Sequence, residues 1–275
     1  MSLAQPVGFT RHAILGAITL LIAGLSAPRS ASAQIAVMSS TVEERTAISG
    51  EKYAGTILVR NLTAQTQPVR VYQSDYTFFA DGTSHFDAPG TVGRSNAKWI
   101  TPSASFVLVP PVGDVTVSYT VQVPASDTLR GTFWSTVMVE AAVNPPRAAS
   151  NQQVSLGSVT RYAVQIATHL SGTGTNEISF ANQHSFSEVD ELRSLEVEVS
   201  NVGERAYRPL LWVEVYDAKG SVRAKIQQQR GLLYPGTSLR QKFVLGKLPA
   251  GEYKAVVFAD AGDEATFATQ YKLHF

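Results

Sequence analysis

The residues that could do chemistry are few and scattered. His85, His169, His184 and His274 show no close metal-ligand spacing. Asp75, Asp81 and Asp87 do not have the spacing of a calcium loop, whose glycine and closing glutamate are also out of place here. Ser135 and Ser185 lack the Gly-x-Ser-x-Gly elbow that would expose a nucleophile. The chain has no cysteine, which excludes thiol catalysis, disulfides and thiolate metal sites. No metal, no cofactor and no catalytic residue is therefore expected, and the chain reads as a non-enzyme. Trp99, Trp134 and Trp212 read as packing residues; a sugar platform would require two of them coplanar and exposed.

Composition narrows the classes further. The 275 residues are 44% hydrophobic and 16% charged, so the chain is neither disordered nor fibrous. A formal charge of +1 gives no reason to expect nucleic acid. Arg11 and His12 precede an apolar run, Ala13 to Ala27, followed by the small residues Ala31-Ser32-Ala33. This is a signal-peptide pattern over 1–33, with Gln34 as the first mature residue. The run is shorter than the ~20 residues of a membrane helix. No later segment is apolar for long enough to span, so a mature chain without a membrane span is expected in the periplasm or extracellular space.

The mature chain must position its side chains on strands. Tyr53–Asn61, Pro68–Phe79, Val115–Val123, the run from Gly131 up to Pro145, and Val159–Leu170 alternate with period two and are punctuated by Gly, Pro and Asn. Pro145 and Pro146 end the Gly131 run, because proline cannot donate to a ladder. His85 to Thr101 reads as irregular. Ser171 to Asn176 reads as a short joint, and strands resume at Leu195, Leu210, Val222, Leu239, Gly251 and Phe267. No stretch has a convincing helical period. The expectation is all-β: two immunoglobulin-like β-sandwich domains after a signal peptide, over 34–170 and 177–275, with a linker at 171–176.

The first half resembles the N-terminal immunoglobulin-like domain of the periplasmic pilus-assembly chaperones, the PapD-like superfamily. The segments that carry the likeness are ERTAISG (44–50), TILVRN (56–61), VRVYQSDY (69–76), FVLVPP (106–111), TFWSTVMVEAAVNPPR (132–147) and VTRYAVQI (159–166). They occur in the family's order over about 34–170. The sequence departs from the family in two places. The strand after Pro110-Pro111 has no arginine, and the apolar row ahead of Arg161 is short, with Gln152 at the next position. The second half is only generally similar.

The resemblance implies a function and a site. Such a chaperone completes an exported subunit by lending it an extended strand, with backbone bonds for affinity and alternate side chains in pockets. Val154 and Leu156 would be the apolar donor-strand residues. Arg45 and Arg161 would lie in the cleft between the domains and clamp the partner's C-terminal carboxylate, for which guanidinium groups are well shaped. The implied partner is an exported protein subunit or envelope protein. The alternative is a non-catalytic immunoglobulin-like envelope scaffold or extracellular binding module.

Overall fold

Alternating apolar residues build four sheets. The computed structural model describes residues 34–142, 159–189, 191–262 and 265–275, with backbone alone at 183 and 184. The expected signal peptide, Val154 and Leu156 lie outside the described residues.

The first sandwich begins with one strand divided between two sheets. β1 (Ile35–Val37) pairs antiparallel with β3 (Lys52–Asn61), while β2 (Val42–Ala47) crosses to the other layer. Ser40 makes the crossing, its hydroxyl oxygen accepting the Val42 N–H at 3.1 Å. The later strands are β4 (Gln67–Phe78), β5 (Ser84–Asp87), β6 (Ile100–Pro102), β7 (Phe106–Val109), β8 (Asp114–Gln122), β9 (Thr132–Ala141) and β10 (Arg161–Leu170). One sheet runs β1-β3-β8-β6. The other runs β2-β10-β9-β4-β5, with β7 also on β4. Their inner faces meet at Ile57, Val59, Val117 and Val121 on one side and Val71, Val137, Val139, Val164 and Ile166 on the other. The opposite phase of β9 and β10, with Trp134, Met138 and Ala167, faces outward.

The second sandwich holds β11 (Ile178–Val189), β12 (Leu192–Asn201), β13 (Leu210–Asp217), β14 (Val222–Gln229), β15 (Ser238–Gly246), β16 (Glu252–Asp260) and β17 (Thr266–His274). A β11-β12-β15 sheet packs on a β14-β13-β16-β17 sheet around Leu195, Phe243, Leu211, Val213 and Val257. The all-β, two-sandwich expectation therefore holds. Two details differ. The segment read as irregular contains β5, β6 and a 3₁₀ turn at Ala97–Trp99. The strand β11 had not been expected; its pairing with β12 shifts between Phe180 and His184, which breaks the alternation.

Both sandwiches use one device at the end of the strand that turns into the next layer. Asn61 Nδ2 donates to the Gln65 carbonyl (2.7 Å) and its Oδ1 accepts the Thr63 N–H (2.8 Å). Asn201 Nδ2 donates to the Arg205 carbonyl (2.8 Å) and its Oδ1 accepts the Gly203 N–H (3.0 Å). A buried amide thus satisfies both donors and acceptors of a turn that no ladder reaches.

Candidate partner-binding edge and the joint between the sandwiches

Strand β10 positions everything that follows. It pairs antiparallel with β9 along Arg161 to His169 and parallel with β2. The β2 pairing begins only at Gln165–Val42, and the Gln165 N–H reaches the Thr41 carbonyl at 2.9 Å. Odd-numbered residues of β10 therefore aim their backbone groups at the β2 side. Arg161 and Ala163 come before β2 starts. Among the described residues their N–H and C=O groups meet no strand on that side, the β2 pairing starting only at Gln165.

The same register separates the two arginines. Arg45 is opposite Thr168, seven residues along β10 from Arg161. At the rise of a strand this is about 23 Å. An odd offset also puts the two side chains on opposite faces of the sheet. Arg45 lies beside the inner layer, its guanidinium 5.9 Å from the centre of the Tyr53 ring. Arg161 is on the outer face, where Nε donates to Glu140 Oε2 at 2.7 Å. The Tyr72 hydroxyl donates to the same oxygen at 2.7 Å. Tyr72, and after it Arg161, holds the Glu140 carboxyl below its ordinary range. The expectation that Arg45 and Arg161 clamp one carboxylate in the cleft is thus corrected: the structure does not bring them together.

The groups that do meet between the sandwiches are others. Trp134 stacks on Tyr234 at 4.7 Å between centroids with planes 9° apart, over Ala167 and Leu232. Trp134 Nε1 donates to the Tyr76 carbonyl at 2.7 Å, and the Tyr234 hydroxyl donates to Gln165 Oε1 at 2.8 Å. Burial pushes the Tyr234 hydroxyl up, so it remains a donor at ordinary pH. The Thr132 N–H donates to the Glu204 carbonyl and the Ala206 N–H to Thr132 Oγ1, both at 2.8 Å. Glu204 also draws in Arg94 at 3.3 Å and Arg130 at 3.8 Å.

A carboxylate of the chain itself occupies this joint. Glu44 pairs with Arg208 of the second sandwich, and its other oxygen lies 3.4 Å from His169 Nε2. His169 Nδ1 is 2.9 Å from Thr132 Oγ1. Burial lowers the His169 pKa below its usual 6.5, against the opposing pull of Glu44. The unfolded chain therefore binds this proton more readily. Stability is present above pH 6.5, falls as pH drops through that value, and levels off below the folded-state pKa. Thermal unfolding midpoints should be lower at about pH 5.5 than at about pH 7.5, and His169→Gln should narrow that gap. An unchanged gap in the variant would mean that other groups carry it.

The tryptophans sort plainly. Trp134 is buried, and Trp99 leans on Phe133 at 4.7 Å. Trp212 stacks face to face on Phe258 across β13 and β16, at 4.8 Å and 7°. Each ring covers a face of the other. The joint residues Glu44, Arg208 and Tyr234 escaped the sequence reading, since nothing local links β2 to turns more than 160 residues away.

No family model and no curated protein matches the chain. Solved structures do resemble it. The class 5 fimbriae chaperone CfaA is 13% identical, with a TM-score of 0.45 over 86% of this chain and 98% of that one. A chain from the chaperone–tip adhesin complex of CFA/I fimbriae is 12% identical, with a TM-score of 0.48 over the same shares. The CupB2 chaperone of Pseudomonas aeruginosa is 10% identical, with a TM-score of 0.38 over 86% of this chain and the whole of that one.

Proposed function

We propose that this is an exported, non-catalytic chaperone-like protein that holds a surface or pilus subunit by strand addition at β10. The observation that carries the reading is that, among the described residues, Arg161 and Ala163 have no strand on the β2 side; Val154 and Leu156 precede them in the sequence. An extended strand of a partner can take those backbone bonds, and the two apolar side chains, two residues apart, can enter alternate pockets. Periplasmic location fits the signal-peptide pattern and the sequence resemblance. Arg161 has a role at the rim of this edge rather than in a two-arginine clamp.

The test is Ala163→Pro. Proline removes one N–H from the open edge, a position where proline is tolerated because no ladder bond is lost. The variant should fold with a denaturation midpoint near that of the parent. It should co-purify with at least about tenfold less of the exported subunit, the loss expected when about 1.4 kcal/mol of edge bonding is removed. Equal recovery by a folded variant would leave the scaffold or binding-module reading in its place.

A further inference from the structure

The hairpin joining β4 to β5 leans across to the second sandwich and leaves a pocket of about 390 Å³ between them. Tyr76, Phe78 and Phe79 line it from the first sandwich, and Arg230, Leu232 and Arg240 from the second. The Ala80 N–H donates to Ser238 Oγ at 2.9 Å and ties the two walls together. That hydroxyl keeps its own hydrogen free to donate.

The two arginines are the unexplained feature. Arg94, Arg130, Arg161, Arg193, Arg208 and Arg223 all pair with carboxylates. Among the described residues neither Arg230 nor Arg240 has an ion pair. Glu198 sits opposite Arg240 across the β12–β15 ladder without closing on it. Arg230 Nε is buried and makes no hydrogen bond. Buried polar atoms of folded proteins are nearly always bonded, so an arginine that lines the pocket with an unbonded Nε and no ion pair leaves its guanidinium available to an acceptor that is not part of the chain. The aromatic and leucine side chains around it suit an apolar body.

We propose that this pocket binds an oxyanion, carboxylate or phosphate, carried on an apolar or aromatic body. The guanidinium groups of Arg230 and Arg240 would take the anion, with the Ser238 hydroxyl as a further donor, and Tyr76, Phe78 and Phe79 would cover the body. The site is separate from the β10 edge, and its failure would leave the Ala163 result untouched.

The experiment is amide chemical-shift titration of the whole mature chain with phenyl phosphate, 3-phenylpropionate, inorganic phosphate and neutral 3-phenylpropanamide. At least one aromatic anion should shift amides of residues 79–84 and 230–240 in a saturable way, and bind more tightly than both the amide and inorganic phosphate. Whether phosphate or carboxylate prevails assigns the source of the oxyanion. Arg230→Gln and Arg240→Gln should each weaken binding about tenfold, as loss of a charge-assisted bond implies. Lys272→Gln, on the far sheet of the second sandwich, should change nothing. Equal binding of the amide or of bare phosphate, no shifts in those residues, or affinity unchanged in both arginine variants would overturn the proposal. If Arg230→Gln proved unstable, the exposed Arg240 variant would decide alone.

Discussion

Replacing Gly131 with alanine should destabilise the chain by about 3 kcal/mol or more and change how the two sandwiches meet. Gly131 has φ +74°, where an L side chain is strained by about 1–2 kcal/mol. A Cβ there would also lie 2.1 Å from the Glu204 carbonyl oxygen. That oxygen is backbone of the second sandwich and cannot rotate aside. Relief requires the turn at 203–206 to move away, which breaks the Thr132–Glu204 and Ala206–Thr132 bonds described above. Gly174 approaches from the other side, its own added Cβ meeting the Gly131 Cα at 2.6 Å, so the joint has no slack in that direction. Gly82 supplies the control. It has φ +89° but nothing within 4 Å of an added Cβ. Gly82→Ala should cost only the backbone strain. Denaturant midpoints give the stabilities and small-angle scattering the arrangement. Equal losses in the two variants would show that the Glu204 contact does not limit the joint.

Asp75→Ala should cost about 3–5 kcal/mol, because several buried donors lose their acceptor at about 1–3 kcal/mol each. Asp75 is fully buried on β4. Its Oδ2 accepts the N–H groups of Thr91 and Val92, both at 2.7 Å, and its Oδ1 accepts the Gly90 N–H at 3.1 Å and the Ser95 hydroxyl. The carboxylate replaces the ladder that this loop lacks. Alanine would strand several donors at once, each costing about 1–3 kcal/mol where water cannot reach. The loop carries Val92 to the Trp134–Tyr234 contact and Arg94 to Glu204, so the damage should reach the joint. Hydrogen exchange at Gly90, Thr91 and Val92 should accelerate more than at Val137 in the core. Asp75→Asn keeps the shape but turns one acceptor into a donor facing donors, and should cost less than alanine yet clearly more than nothing. A variant as stable as the parent would contradict this account of the loop.

The parts of the fold legible in the sequence are those written in local alternation. Val137 and Val139 against Trp134 and Met138 gave the two faces of β9. Tyr162, Val164 and Ile166 gave the inner face of β10. The strand β11 was not legible, because ISFANQHSFSEV contains a register shift and polar residues where alternation would place apolar ones. Of the candidate site, the structure places Arg161 at the start of β10. Its distance from Arg45 depends on a parallel pairing between segments more than a hundred residues apart, and no spacing along either segment encodes that register. The same holds for the joint: Tyr234 lies in a Tyr-Pro-Gly turn and Glu44 on a short mixed strand, and only the folded chain shows that Trp134 and Arg208 are waiting for them.

The most direct measurement is photo-crosslinking in intact cells with a benzoylphenylalanine placed at Ala163, with a matched probe at Lys219 in the exposed β13–β14 turn. Strand addition at β10 predicts an adduct from position 163 that maps to an extended segment of an exported subunit, absent from position 219 and lost when the subunit gene is removed. A subunit that crosslinks from Lys219 as strongly as from Ala163, or co-purifies with the protein but never crosslinks at 163, would contradict it.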